Sequence, residues 1–269
     1  MGNYMEEDLV LKKIVGYMKA HWPSKVKDEW QVSLAEYPVI LKKVLADFTV
    51  DKSRGKNFVR VAGLSGSGKT TQILPAVEAY MEEQHLNPVL VAARRFVKYH
   101  PHYQEILDFY GEENLRKMTD EFSTIMMFMV LKALMRQGYD IVLDVTLLDP
   151  EMEGILLGFL KDYKAMMLMI ATSPAVTEHF LASRKWRHTR ETEEEFIRAT
   201  HKALEFYAEK VPEMRIILWS VYDLEPVYDG AVVGCLGVFA DYSSRTELPA
   251  KDDEARREAK CKYLRTITD

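Results

Sequence analysis

Phe58-Val59-Arg60-Val61-Ala62-Gly63-Leu64-Ser65-Gly66-Ser67-Gly68-Lys69-Thr70-Thr71 is the stretch that decides how this chain folds. It begins as an apolar run, passes through Gly63 to Thr70, which match G-x-x-x-x-G-K-[ST], and leads into a helical pattern from Thr71 to Gln84. Strand, glycine-rich turn and helix follow one another in the order that aims backbone N–H groups and a helix N-terminus at a phosphate. Gly63, Gly66 and Gly68 allow the backbone to wrap tightly around that anion. In such a loop Lys69 reaches the β- and γ-phosphates and the Thr70 hydroxyl ligates magnesium. A glycine-rich turn with an incidental lysine would not require the strand before it and the helix after it.

Short apolar runs recur outward from this stretch, at Phe58 to Leu64, Pro88 to Ala93, Asp140 to Val145, Met166 to Thr172 and Arg215 to Trp219. Their apolar residues are nearly continuous, as in strands covered on both faces. The segments between them, Thr71 to Gln84, Gln104 to Phe109, Asp120 to Gln137, Asp149 to Tyr163 and Thr192 to Lys210, carry helical periodicity and are long enough for crossovers. The pattern predicts an α/β fold, a doubly wound parallel sheet of about five strands flanked by helices. Two further helices are expected near the N-terminus, over residues 6 to 22 and 37 to 48, with Pro38 in the first turn of the second. A polar stretch from Asp51 to Asn57 separates them from the first strand, so we expect an N-terminal helical extension over 1–55 and a P-loop domain over 56–269. Residues 221 to 250 read as loop-rich, and Lys251 to Asp269 as a terminal helix.

Composition narrows the function classes. The chain has 269 residues, 48% hydrophobic and 29% charged, which excludes a disordered or fibrous protein. With 36 Lys and Arg against 41 Asp and Glu the net charge is −5, and no basic block is present, so nucleic acid is not an expected partner. Two cysteines without a CxxC pattern indicate neither a disulfide framework nor a structural zinc, which suits a reducing cytosol. The first residues mix acids with apolar side chains, unlike a secretory signal. Phe122 to Met135 is too short for a membrane span and contains Lys132. A soluble, cytoplasmic protein with no membrane partner is expected.

Three further features bear on chemistry. Ile141-Val-Leu-Asp144 is an apolar strand ending in a carboxylate, which suits either the water shell of a magnesium ion or the N-cap of the next helix. Arg184, Arg187 and Arg190 recur every three residues, and form either a basic edge that meets the charge of a transferring phosphoryl group or a solvated face balanced by the acids from Glu191 to Glu195. His100, before Pro101, is either a ligand contact or a hydrogen-bonded structural histidine.

From Phe58 to Tyr207 the ordered motifs resemble the zeta toxin family of P-loop kinases, the toxin halves of epsilon/zeta-type toxin-antitoxin pairs. The resemblance is carried by the phosphate loop with its second threonine, Thr71, and by Phe96-Val-Lys-Tyr-His100-Pro101, which is similar to the family's Asp-x-Phe-Arg-x-x-His-Pro. Asp144-Val-Thr146-Leu147 is similar to Glu-Gly-Thr-Leu-Arg, Ile170-Ala-Thr172-Ser-Pro174 to Ile-Ala-Thr-x-Pro with Arg184 ten residues on, and Arg190-Glu-Thr192 to the second arginine motif. The resemblance implies an enzyme that uses ATP or GTP with Mg2+ to phosphorylate the 3′-hydroxyl of UDP-N-acetylglucosamine, and a partner antitoxin. It also implies that Lys69 and Thr70 bind phosphate and magnesium, that Arg184 and Arg190 stabilise the transferring phosphoryl, and that Thr146 lies near the acceptor. Beside these we expect Ser65, Ser67 and Thr71 at the nucleotide, Asp144, which stands for the family's glutamate, at the metal, and His100 and Arg94 on the substrate side.

The departures are as informative. Arg94 stands where the family has the aspartate that takes the acceptor hydroxyl's proton, and an arginine cannot act as that base. Val97 stands for the arginine after the aromatic residue, Leu148 for the last arginine of Glu-Gly-Thr-Leu-Arg, and Phe128 for an acid on the helix after the His-Pro segment. The donor half matches and the acceptor half is rewritten. Three functions follow: a kinase acting on a nucleotide sugar or a related small molecule, a nucleotide-binding module that works through a protein partner, and an anion pocket at Arg94 and Arg95 for a phosphorylated acceptor or nucleic acid.

Overall fold

The computed structural model describes residues 2–64, 66–181, 190–245, 247–248 and 253–267. Two compact units emerge, the first formed by residues 1–52 with Val91–Tyr139 and the second by Ser53–Leu90 with Asp140–Asp269.

The second unit carries the sheet core. Its strands are β1 (Asn57–Gly63), β3 (Ile141–Asp144), β4 (Lys164–Ala171), β5 (Arg215–Ser220) and β6 (Tyr228–Ala231), and β2 (Val89–Val91) runs across the division between the units. The order in the sheet is β2-β3-β1-β4-β5-β6. β1 lies between β3 and β4 and is parallel to both, and β5 is parallel to β4. Five strands match the apolar runs. The sixth, β6, was not expected. It pairs antiparallel with β5, and a bidentate ion pair from Arg215 to Asp229 (2.9 and 2.8 Å) ties the two strands together. β6 and the helix α9 (Leu236–Ser243) correct the loop-rich reading of 221 to 250. Tyr-Asp-Gly-Ala has no apolar run of its own, so only pairing along the β5 edge makes it a strand.

Both faces of the sheet are covered. Along β4, Leu168 and Ile170 point to one face, where they cluster with Val77 of α3 (Leu74–Glu83) and Leu264 of α10 (Asp253–Thr266). Met167 and Met169 point to the other face, with Leu204 and Tyr207 of α8 (Arg190–Lys210) and Phe239 of α9. The remaining helices of this unit are α6 (Pro150–Phe159) and α7 (Pro174–Leu181).

The first unit is helical: α1 (Gly2–His21), α2 (Tyr37–Phe48), α4 (Tyr103–Tyr110) and α5 (Glu112–Arg136). The first 52 residues join this unit through α5 and the segment before α4, where Tyr37 stacks on Phe122 (5.8 Å between ring centres) and Phe48 packs on Phe96 (5.3 Å). Among the described residues no helix is long and apolar enough to cross a membrane.

Candidate functional site

The site is built where β1 ends. Gly63, Gly66 and Gly68 all have positive φ (136°, 80° and 96°). A Cβ on Gly63 would lie 2.9 Å from the Ile170 carbonyl oxygen and 2.9 Å from Ser67 Oγ, so the turn admits no side chain there. The Ser67 N–H donates to the Leu64 carbonyl at 3.3 Å, closing the loop before a π-helical turn at Lys69–Ile73 leads into α3. Ser65 lies outside the described residues.

Lys69 Nζ donates to two carbonyls of its own loop, Gly63 O at 2.7 Å and Leu64 O at 2.8 Å. The ammonium is thereby held over the loop by neutral acceptors, from which an anion can draw it. Ser67 Oγ is buried and has no hydrogen-bond partner among the described residues. Thr70 and Thr71 are exposed, and the Thr71 hydroxyl lies 3.4 Å from the Gly68 carbonyl. A glycine cradle, an unused buried hydroxyl and an ammonium resting on carbonyls together fit the phosphates of a nucleotide.

Thr146, on the loop after β3, belongs to the same place, because its hydroxyl lies 3.3 Å from the Gly63 carbonyl that Lys69 also uses. Asp144 ends β3, is 4% exposed and lies in register with Val61 of β1. The N-cap of α6 is Asp149, not Asp144: its carboxylate accepts from the Glu151 and Met152 N–H groups at 2.9 and 3.3 Å. Asp144 therefore does not cap α6. No group of three or more His, Cys, Asp or Glu side chains that could hold a metal occurs among the described residues.

Arg184 and Arg187 lie outside the described residues, and Arg190 is the first residue of α8. Arg94 and His100 belong to the first unit. Arg94 is exposed and, with Arg95, Lys98, Phe48, Val97, Tyr103 and Leu115, lines a cavity of about 380 Å³. The Arg95 guanidinium rests on the Phe48 ring, 4.6 Å from its centre. His100 is 5% exposed, its Nδ1 accepts from the His102 N–H at 3.1 Å, and its ring meets Phe122 edge-on. Burial pushes the imidazole down to about 4, helped by the charge of His102 and opposed by Glu36 and Glu105.

One group escaped the sequence reading. Arg60, in the middle of β1, is fully buried with Glu153 of α6 and Tyr207 of α8. Its Nη1 bonds Glu153 Oε2 and donates to the Tyr207 hydroxyl at 2.9 Å, while Nη2 donates to Glu153 Oε1 at 2.8 Å. The available signal was a lone charge inside a continuous buried run, which has to find a buried partner.

A phosphate loop closing the central strand of a helix-covered, mostly parallel sheet defines a P-loop α/β protein. The family follows from comparison. The zeta toxin model matches residues 43–223, more than half of the chain, and the protein belongs to the zeta toxin family. Among solved structures, a chain from the PezAT chromosomal toxin-antitoxin system of the human pathogen Streptococcus pneumoniae is similar, with TM-score 0.63 and 20% identity over 89% of this chain and 99% of that one. At that identity the likeness speaks for the fold. A chain from Chloroflexus aurantiacus aligns with TM-score 0.36 and 14% identity, over 49% of this chain and 68% of that one, and carries no weight. No curated protein matches by sequence.

Proposed function

We propose that this protein is a kinase of zeta toxin type that transfers the γ-phosphoryl group of ATP or GTP to a hydroxyl of a nucleotide sugar, with UDP-N-acetylglucosamine, the family's acceptor, as the first substrate to test. The observation that carries the reading is the phosphate loop itself, with Lys69 Nζ on the Gly63 and Leu64 carbonyls and Ser67 Oγ buried without a partner among the described residues.

The nucleotide supplies the phosphoryl group; Thr70 and Asp144 would hold a magnesium ion, which would supply neutralisation of the phosphate charge. The chain's residues do the rest. Lys69 exchanges its two loop carbonyls for phosphate oxygens and keeps its charge on the group in transfer. The backbone N–H groups from Gly66 to Thr70 and the Ser67 hydroxyl orient the same oxygens. Arg184 and Arg190 meet the charge that spreads over the equatorial oxygens. Thr146 orients the acceptor sugar beside the loop, and His100, in the first unit, is uncharged near neutrality. Asp149 is occupied as an N-cap and Asp144 is assigned to the metal, so neither carboxylate is a ready replacement for the family's base. Loss of a positioned base costs roughly a hundredfold to ten-thousandfold, and a loose phosphoryl-transfer transition state tolerates that loss better than most. We further propose a cytoplasmic setting and an antitoxin partner, by analogy with the toxin-antitoxin system of the pneumococcal relative.

Arg94 favours one other reading, a nucleotide-binding module that acts through a protein partner without turnover. Arg94→Asp separates the two. Wild-type turnover that survives or falls in the variant supports the kinase, whereas turnover arising only in the variant supports the module.

A further inference from the structure

A strand buried on both faces has no structural need for a guanidinium. β1 places Phe58, Val59, Val61 and Ala62 in the core, at most 4% exposed, yet the residue among them is Arg60, 0% exposed, paired to Glu153 and Tyr207, each 0% exposed. Apolar residues of the same volume are commonly as stable as such a buried ion pair, or more so. The reason for the charge lies in where its remaining hydrogen bonds go. Arg60 Nη2 donates to the Thr146 carbonyl at 3.2 Å, and Glu153 Oε1 accepts the Leu148 N–H at 2.6 Å. Both targets are backbone groups of the loop between β3 and α6, the loop whose Thr146 hydroxyl reaches the Gly63 carbonyl. The Tyr207 hydroxyl closes the cluster by donating to Glu153 Oε2 at 2.7 Å from the far end of α8, the helix that Arg190 begins.

We infer that Arg60, Glu153 and Tyr207 form a positioning device that fixes the loop from Val145 to Leu148 against the phosphate loop and ties that loop to α8. A single hydrogen-bonded path runs from Tyr207 through Glu153 and Arg60 to Thr146, then to the carbonyl shared with Lys69. When Lys69 leaves that carbonyl for a phosphate, Thr146 stays in place as its donor, and the loop's geometry is unchanged as the site fills. Burial works against the charge on Arg60, but the adjacent Glu153 carboxylate holds its pKa above the ordinary value, and burial with Glu153 holds Tyr207 well above its own. Arg60 and Tyr207 therefore keep their protons across the physiological range. None of the three touches the reacting atoms; they act through the backbone of Thr146 and Leu148.

This inference rests on the kinase reading, and its test keeps the two apart. Removing one member alone strands a buried charge and endangers folding, so the decisive variant replaces the whole cluster with apolar residues of similar size: Arg60→Met, Glu153→Leu and Tyr207→Phe together. Three readouts are taken on the full chain: the melting temperature, kcat and KM for nucleotide and sugar, and the hydrogen exchange of the Val145–Leu148 amides. The expected result is a melting temperature equal to or above wild type, exchange at Leu148 faster by roughly tenfold or more, kcat lower by roughly tenfold to a hundredfold, and a nucleotide KM within about threefold. Tyr207→Phe alone leaves the ion pair intact and cuts only the tie to α8, and should lower kcat by a smaller factor, about threefold. A stable triple variant with wild-type kcat or wild-type exchange at Leu148 overturns the inference. If the wild type turns over no substrate, the kinase reading falls, and the exchange of Leu148 alone decides the positioning role.

Discussion

Acid should loosen the first unit through one side chain. His100 is 5% exposed, its Nδ1 accepts the His102 N–H, and burial holds its pKa at about 4 against an ordinary 6.5. The folded state keeps the ring neutral, and the unfolded chain takes up a proton as pH falls below 6.5. Stability is therefore whole above that value and declines through the window from 6.5 to about 4. Integrated over the window, the loss between about pH 7.5 and about pH 5 amounts to about 2 kcal/mol. The control is His100→Gln, whose side-chain oxygen can still accept the His102 N–H but does not titrate. Urea denaturation of both proteins at the two pH values isolates the histidine from every other titrating group, because those are common to both. The stability difference between wild type and variant should shift by about 2 kcal/mol in favour of the variant at the lower pH. Parallel stability curves, or a ring titration by NMR near 6.5, would refute the reasoning.

Other substitutions read other parts of the account. Gly63→Ala forces a Cβ to 2.9 Å from the Ile170 carbonyl oxygen at φ 136°, and should cost at least about 2 kcal/mol in thermal or urea unfolding. Lys69→Ala should weaken ATP or GTP binding about tenfold to a hundredfold by calorimetry and abolish turnover, since a charged hydrogen-bond partner of the phosphates is lost. Asp149→Ala removes two cap bonds to α6 and should cost about 1 kcal/mol while leaving turnover within a few-fold; a far larger loss of kcat would make Asp149 the proton acceptor.

Much of the nucleotide half was legible in the sequence because its determinants are local. The three glycines, Lys69 and Thr70 lie within eight consecutive positions, and the five apolar runs needed only their composition to read as covered strands. What depends on partners distant in the chain was not. Tyr228–Ala231 becomes a strand only along β5, and residues 1–52 join Val91–Tyr139 through ring contacts such as Tyr37 on Phe122 that no local pattern announces. Arg60 was silent for the same reason, since its partners stand 93 and 147 positions away. Whether Asp144 capped the next helix was open until α6 was seen to begin at Pro150, with Asp149 as its N-cap.

The central claim is phosphoryl transfer that depends on Lys69. Wild type and Lys69→Ala, each incubated with ATP or GTP, magnesium and UDP-N-acetylglucosamine, are compared by the mass of the sugar nucleotide. A gain of one phosphate in the wild-type reaction alone is the predicted result. Intact nucleotide binding with no phosphorylated product from this sugar or from a panel of nucleotide sugars would contradict it.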